Sequence, residues 1–180
     1  MSSAGTFRAR AAAASDAGVL DVFQSPPGMM PPVTQREQAV EVWQAARGAQ
    51  GAQLSPERVQ RVRGKLSDPR SLLVVMDREG VAVGMALAEP FRTANGFGTV
   101  QPGHGHLSMV FVRPDTQGRG IGTELVQRII ADAPWTILSL WTHGRFIPVD
   151  GLRRLGFRAT SDRRTTVHGL ASQRWERVGA

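Results

Sequence analysis

The sequence contains no cysteine and no tyrosine, and Lys65 is the only lysine among its 180 residues. The missing cysteine excludes disulfides, thiolate metal sites and a cysteine nucleophile, and we predict no metal centre. A Walker phosphate loop needs Gly-Lys-Ser or Gly-Lys-Thr, and it is excluded because the only lysine, Lys65, lies far from the glycine-rich turn described below. No apolar run is long enough for a membrane span, and the N-terminus lacks the apolar core of a secretion signal. We therefore expect a cytoplasmic protein with no membrane partner.

The positive charge comes almost entirely from arginine. A formal net charge of +7 arises from 21 arginines and one lysine against 15 acidic residues. Scattered arginines are typical of composition bias, but eight of them fall between Arg145 and Arg177. That surplus suits the phosphates of a nucleotide cofactor or a nucleic acid. Because no recognition helix, zinc pattern or RNA-binding aromatic pattern accompanies it, nucleic acid is the weaker alternative.

Length and a hydrophobic content of 41% predict one domain over residues 1–180. Apolar periodicity and turn residues predict its elements. In chain order they are a strand at Thr6–Ala13, a helix at Ser15–Gln24, a proline-rich loop at Ser25–Pro32, a helix at Thr34–Arg47, a helix beginning at Ser55, a hairpin at Leu72–Leu87, a strand at Leu107–Val112, a helix at Ile121–Ala133 and a strand at Ile137–His143.

The segment between the strand at Leu107–Val112 and the helix at Ile121–Ala133 is the most informative part of the sequence. Gly118, Gly120 and Gly122 alternate there and lead into the amphipathic helix. Glycine permits positive φ, and unpaired N–H groups at a helix start attract phosphate together with the helix dipole. Arg119 would add a cation. A simple tight turn is the alternative, and the dinucleotide fingerprint G-x-G-x-x-G fails because Thr123 stands at its third glycine.

Gln117-Gly118-Arg119-Gly120-Ile121-Gly122, directly after a strand, resembles the acetyl-CoA pyrophosphate loop Q/R-x-x-G-x-G/A of the GNAT superfamily of N-acetyltransferases. Gly151–Phe157 is similar to the family's helix end, and Leu72–Leu87 to its central hairpin. The resemblance covers about residues 71–157 and implies an α/β (α+β) fold. Its mixed, mostly antiparallel sheet would have six or seven strands, about four flanking helices and a splay at the cofactor strand. Residues 1–70 would contribute the acceptor side.

The resemblance implies acetyl-CoA as the acyl donor. The residues expected to hold it are the strand end, the glycine loop and an arginine at the family's asparagine position: Val110, Phe111, Val112, Gln117, Gly118, Arg119, Gly120, Ile121, Gly122, Thr123 and Arg145. A backbone N–H near Val110 would stabilise the oxyanion. The family's tyrosine acid falls at Leu152. The thiolate would therefore take its proton from water, Ser108 or Thr142, or leave unaided.

Transfer to an amine requires a group that takes the amine proton. The family alignment places His106 where many members carry a glutamate base, and an unperturbed histidine pKa of about 6.5 suits the task. Its rivals are Glu89, His104 and His143. Even spacing would place His106 on the same strand face as Ser108 and Val110, unless a bulge lies between them.

Two loops, Ser25–Pro32 and Thr93–Gly105, are expected on the acceptor side. The candidate substrate-binding residues are Met29, Met30, Phe97 and Trp141. We predict direct transfer of an acetyl group from acetyl-CoA to a primary amine of a small molecule, such as an antibiotic or a metabolite. The alternatives are a catalytically weak acyl-CoA sensor and a protein or peptide N-acetyltransferase, and a homodimer is left open.

Overall fold

The computed structural model describes residues 20–25, 28–93, 98–142, 149–165 and 169–179. Within them, strands and helices follow in this order: β1 (Leu20–Gln24), α1 (Val33–Ala49), α2 (Pro56–Leu66), β2 (Leu72–Arg78), β3 (Val81–Arg92), β4 (Val100–Val112), α3 (Ile121–Asp132), β5 (Ile137–Thr142), α4 (Val149–Arg154), β6 (Arg158–Thr165) and β7 (Ala171–Val178). A short 3-10 turn at Pro114–Thr116 separates β4 from α3. None of the described helices is long and apolar enough to cross a membrane.

The strands form one sheet of seven in the order β1-β2-β3-β4-β5-β7-β6. Each neighbouring pair is antiparallel except β4 and β5, which run parallel. The predicted mixed, mostly antiparallel sheet with four flanking helices is therefore confirmed.

The parallel pair is joined over a short length only. Residues His104–His106 of β4 pair with Ile137–Ser139 of β5, and no later residue of β4 has a partner on β5. Gly105 allows close packing at this joined end, because a Cβ there would lie 2.3 Å from the ring of Trp135. Beyond it, the edge of β4 toward β5 has no strand partner among the described residues, which confirms the predicted splay.

The two faces of the sheet carry separate cores. Leu72, Val74 and Met76 of β2 pack with α3 and α4 on one face. The intervening Leu73 and Val75 pack with α1 and α2 on the other. We call these the α3 face and the α1 face. The alternation is the period of two that an extended strand imposes on its side chains.

The helix predicted at Ser15–Gln24 is wrong for its described part. Leu20–Gln24 is β1, which pairs with β2 from Leu20 opposite Arg78 to Gln24 opposite Val74. Pairing satisfies the backbone along one edge of the sheet, and it buries Val22 in the α3-face core. This tertiary pairing outweighs the local helix start that Ser15 and Asp16 indicate. The rest of that predicted helix, and the strand predicted at Thr6–Ala13, lie outside the described residues.

The other predicted elements agree within a few residues over their described parts, apart from β4, and β6 and β7 have no counterpart among the predicted elements. Strand β4 begins at Val100 instead of Leu107, so His106 lies inside the strand and not at its start. The predicted turn between β2 and β3 is formed by Glu79 and Gly80 with φ of 55° and 84°. Gly156, with φ of 83°, follows the end of α4 as predicted from the family's helix end.

Candidate active site

The donor end of the site lies between the end of β4 and the start of α3. Buried Thr116 fixes this connection, because its hydroxyl donates to the carbonyl oxygens of Arg113 at 3.1 Å and Val83 at 3.4 Å. The side chain of Gln117 donates to the carbonyl oxygen of Val112 at 3.1 Å. That side chain therefore shapes the loop, whereas the sequence had suggested only cofactor contact.

The loop forms a cradle of backbone N–H groups. Gly118 and Gly120 have φ of 76° and 80°, and no atom lies within 4 Å of the place that a Cβ would occupy. Gly120 caps α3 without a side-chain hydrogen bond. In the described part of the chain, no backbone N–H from Gly118 to Thr123 donates to a backbone carbonyl. Such a cluster at the positive end of a helix dipole, beside exposed Arg119, fits a phosphate group.

The three strand residues predicted to contact the cofactor lie along the splay. Val110 and Val112 pack against the α3-face core, and Phe111 packs against the α1-face core. Their backbones pair with β3 on one side only. N–H and C=O groups on the other side are thus available to an extended ligand between β4 and β5.

A bulge at Ser108 separates this predicted donor end from the predicted acceptor end, which is the part of β4 around His106. Leu107 pairs with Ala88 and Met109 pairs with Leu87, so Ser108 has no partner on β3. In a regular strand, residues three apart would point to opposite faces. Because of the bulge, Leu107 and Val110 both belong to the α3 face. His106 therefore lies on the opposite face from Val110. The expectation that they share a face is wrong, because the bulge reverses the alternation.

His106 is partly buried and held by a buried hydroxyl. Its Nδ1 lies 3.3 Å from Ser139 Oγ, and that hydroxyl donates to the carbonyl oxygen of Gly105 at 3.2 Å. Because the hydroxyl proton is directed to Gly105, Nδ1–H is the donor to Ser139. The hydrogen-bond pattern thus assigns the tautomer and leaves the lone pair on Nε2.

Burial lowers the pKa of His106 to about 4, and the charges of Arg164, Lys65 and His104 act in the same direction against Glu89. The unperturbed value expected from the sequence is therefore wrong for this environment. An imidazole of such low pKa is neutral throughout the physiological range. It is always able to accept a proton, but it is a weaker base than an exposed histidine.

Glu89 is more heavily engaged than His106. Lys65 Nζ lies 3.0 Å from both of its carboxylate oxygens, and Ser108 Oγ donates to Oε2 at 2.9 Å. Both carboxylate oxygens of Glu89 are thus occupied by partners within the protein. Since the Ser108 proton is directed to Glu89, Ser108 is also a poor source of a proton for a leaving thiolate.

His104 is packed into the sheet. Its ring stacks on Phe91 with centroids 4.2 Å apart, and Nδ1 lies 3.2 Å from Gln101 Oε1. Burial lowers its pKa, with Glu176 opposing and Arg174 reinforcing the shift. The same Phe91 ring meets His106 edge-on at 6.2 Å. Phe91 therefore orients both histidines, and His104 supports the site without facing a substrate.

A cleft of about 650 Å³ opens beside His106. Its walls come from the ends of β3 and β4 and from β5, β6 and β7: Phe91, Arg92, Thr93, Gln101, His106, Trp141, Ser161, Asp162, Arg163, Arg164 and Arg174. Trp141, one of the predicted substrate-binding residues, lies in this wall. The guanidinium of Arg164 covers the Trp141 ring at 4.2 Å from its centroid.

Several predicted residues are not brought to this cleft. Met29 and Met30 are both 54% exposed and line neither this cleft nor a smaller one beside Lys65. Phe97, His143 and Arg145 lie outside the described residues. Leu152, at the position of the family's tyrosine, is fully buried in the α3-face core. A hydroxyl there would be enclosed in apolar packing.

Sequence reasoning missed four residues that shape the site: Thr116, Phe91, Ser139 and Arg164. The only signals were the even spacing of Phe91 from Glu89 and the surplus of arginines that includes Arg164. Nothing in the sequence indicates Ser139, because it meets His106 only where three residues of β4 pair with three residues of β5.

One curated relative is similar to part of this chain. Mycothiol acetyltransferase from Nocardiopsis dassonvillei is 36% identical over 113 residues, which cover 62% of this chain. The match spans only 31% of the relative's own length. The chain thus corresponds to about one third of that relative.

Solved structures share the fold. A ribosomal-protein-alanine N-acetyltransferase from Brucella melitensis superposes with a TM-score of 0.63 at 20% identity, over 83% of this chain and 98% of that one. Salmonella typhimurium yncA, solved with its cofactor acetyl-CoA, has a TM-score of 0.61 at 17% identity, over 87% and 93% of the two chains. At these identities the likeness establishes the fold alone.

The family profile for Acetyltransferase (GNAT) matches residues 37–143, which is more than half of the sequence. The match begins in α1, includes the splayed pair of strands and contains the glycine loop. The chain therefore belongs to the GNAT acetyltransferase family.

Proposed function

We propose that this protein transfers an acetyl group directly from acetyl-CoA to a primary amine of a small molecule. The observation that carries the proposal is the neutral imidazole of His106 in the wall of an open cleft, next to the splay of β4 and β5. The donor and the acceptor would then approach the same stretch of β4 from opposite ends. With no cysteine in the sequence, a thioester on the enzyme is excluded.

The donor end supplies binding and orientation. The N–H groups from Gly118 to Thr123, with Arg119, would hold the pyrophosphate. The unpaired edge of Val110–Val112 would hydrogen-bond the extended arm of acetyl-CoA, since no residue of β5 occupies it. A backbone N–H near Val110 would donate to the oxyanion.

At the acceptor end, the amine nitrogen attacks the thioester carbon, and a C–N bond forms as the carbonyl oxygen becomes an oxyanion. Attack makes the nitrogen strongly acidic, so even a weak base accepts its proton at this point. His106 Nε2 would take that proton, because Nδ1 already donates to Ser139. Collapse of the oxyanion breaks the C–S bond and yields the amide and the CoA thiolate.

The thiolate receives its proton from solvent in this proposal. Leu152 offers no hydroxyl and is buried, and the proton of Ser108 is directed to Glu89. His106, protonated by the amine, returns its proton to water. The enzyme is then as it began.

An open cleft also favours an enzyme over an acyl-CoA sensor, for which we would expect the acceptor space to be filled. The size of the cleft, about 650 Å³, falls in the range of small-molecule pockets. A protein or peptide N-terminus is the competing acceptor.

A screen of acceptors for thiol release from acetyl-CoA tests the proposal. It should contain small primary amines and short peptides with free N-termini. We expect release with one or more small amines, and mass spectrometry should show an added acetyl group on the amine. Release with peptides alone would overturn the small-molecule assignment. An acetylated enzyme that forms before amine addition would overturn direct transfer.

A further inference from the structure

The wall of the acceptor cleft carries a strong positive charge. Arg92, Arg163, Arg164 and Arg174 line it, and Asp162 is the only acidic residue among the lining residues. Of these cations, Arg174 is neutralised most completely, because it pairs with Asp162 at 3.1 Å and also with Glu176. Three arginines are left to determine the charge of the cleft.

Arg164 is the cation best placed to contact a ligand. It lies on the Trp141 ring, and within the described part of the chain it has no carboxylate partner. Partial desolvation lowers its pKa. A guanidinium stacked on an aromatic face keeps its N–H edge free for two parallel hydrogen bonds to a carboxylate or phosphate. By contrast, Arg163 already donates to the backbone carbonyls of Thr160 and Asp162 at 2.7 and 3.2 Å.

We propose that the acceptor is a small amine that carries a carboxylate or phosphate, and that Arg164, stacked on Trp141, binds this anionic group beside His106. The inference rests on the proposed function and adds the chemical class of the substrate. Polycationic amines, such as polyamines and aminoglycosides, would meet like charge in the cleft and are disfavoured.

The location of Arg164 gives the anion a second effect. Its charge contributes to the lowered pKa of His106, so the two groups are within electrostatic reach. A bound anion would offset that charge and raise the pKa of His106. The substrate would therefore strengthen the base that receives its own proton, which a neutral amine would not do.

The arginines of the cleft are separate from the donor phosphates. His106 and Val112 are six residues apart on β4, which corresponds to roughly 20 Å along a strand. The proposed pyrophosphate cradle lies beyond Val112, at the far end of that distance. Loss of Arg164 should consequently leave acetyl-CoA affinity unchanged.

Four amines with the same two-carbon spacer test the charge preference: 2-aminoethyl phosphate, β-alanine, ethanolamine and ethylenediamine. Binding is measured first by calorimetry on the protein saturated with CoA, so that the result does not depend on turnover. We expect at least tenfold tighter binding of one of the two anionic amines than of ethanolamine, and the weakest binding for ethylenediamine. Equal binding of all four, or no binding of either anion, would overturn the inference.

Arg164→Gln should remove most of this preference while acetyl-CoA affinity stays within twofold of the wild type. Arg158→Gln is the matched control, because it removes an arginine from the same strand, outside the cleft. If Arg164→Gln and Arg158→Gln behave alike, Arg164 is not the anion ligand. Rescue of the anion preference by Arg164→Lys, even in part, would support a charge role over a packing role.

Thiol release with the same amines then separates the two proposals. Binding of an anionic amine without acetylation of any amine would contradict the proposed function and leave the anion site intact. Acetylation of ethanolamine and ethylenediamine as readily as of the anionic amines would support the function and overturn the inference. An acidic peptide that is acetylated more efficiently than every small amine, in an Arg164-dependent way, would also overturn it.

Discussion

The two ends of β4 offer different means of binding to the proposed donor and acceptor. At the predicted donor end, backbone N–H groups and glycines form the cradle, and Arg119 is the predicted cation beside it. At the acceptor end, side chains from five strands form the cleft, with two histidines around Phe91 and four arginines in the wall. A backbone site suits a donor common to the whole family. A side-chain site can change with the acceptor without disturbing the sheet.

The bulge at Ser108 is the boundary between the two ends. It turns His106 to the α1 face, on the same side as its β3 partner Glu89, whereas Val110 and Val112 lie on the α3 face. The donor arm and the acceptor base of the proposed function would therefore approach the strand from different sides. Substitutions at one end should affect binding of the donor, and substitutions at the other should affect turnover.

The largest effect is expected at the donor end. Gly120→Glu places a carboxylate where the pyrophosphate would lie, and calorimetry should show acetyl-CoA binding at least ~10²-fold weaker through charge repulsion and lost N–H contacts. Gly51→Glu is the control, because Gly51 also has a positive φ of 72° and open space around its Cβ position. The same charge and backbone strain are thus introduced away from the site.

Unchanged acetyl-CoA affinity in folded Gly120→Glu would remove the donor site from the loop. An equal loss in both variants would instead indicate a general effect of the added charge or of the strained backbone.

At the acceptor end, His106→Gln should lower kcat/KM by roughly 10²-fold or more, since it removes the proton acceptor. Steady-state kinetics with the best amine of the screen measures this loss. Glu89→Gln is the comparison, because Glu89 is held by Lys65 and Ser108 and we expect a smaller effect. If Glu89→Gln abolishes activity while His106→Gln does not, then Glu89 is the base.

The difference between the ends also explains how much the sequence predicts. The donor loop is local, so six consecutive residues are enough to predict a phosphate cradle between a strand and a helix. The acceptor cleft depends on which strands become neighbours. His106 meets Ser139 only because β4 and β5 pair in parallel, and Trp141 meets Arg164 across β7, which lies between their strands. No spacing in the sequence contains that information.

The fold is likewise divided into elements that local sequence predicts and features that depend on pairing between distant segments. The hairpin of β2 and β3, the end of α4 and the start of α2 follow from turn and cap residues, such as Ser55, whose side chain accepts from Arg58 N–H. β1 was wrongly predicted because its pairing with β2 joins segments about 50 residues apart. The face of His106 was wrongly predicted because a bulge leaves no clear local pattern.

A smaller effect should appear in the pH dependence of stability. The pKa of His106 is about 4 in the folded protein and 6.5 for an unperturbed histidine, so the unfolded chain binds more protons between these values. The free energy of unfolding should fall by about 3 kcal/mol as the pH decreases from about 7 to 4, with almost no contribution at higher pH. Urea denaturation at pH 7, 5.5 and 4.5 should show a shallower decline in His106→Gln. Parallel declines in both proteins would contradict the burial of a neutral His106.

The smallest effect is expected at Ser139, which positions His106 without touching a substrate. Ser139→Ala removes the acceptor of Nδ1–H and should lower kcat by about tenfold with acetyl-CoA affinity unchanged. NMR of the imidazole nitrogens should show a mixture of tautomers in the variant and the Nδ1–H form in the wild type. An unchanged tautomer together with a lower kcat would assign Ser139 a packing role instead.

One kinetic experiment tests most directly whether the two ends act separately. Thiol release from acetyl-CoA is measured for the wild type, Gly120→Glu and His106→Gln with the best amine, as a function of acetyl-CoA concentration. The account predicts that Gly120→Glu raises the KM for acetyl-CoA and largely keeps kcat, whereas His106→Gln lowers kcat and largely keeps that KM. The opposite pattern, or a loss of both parameters in both variants, would contradict it.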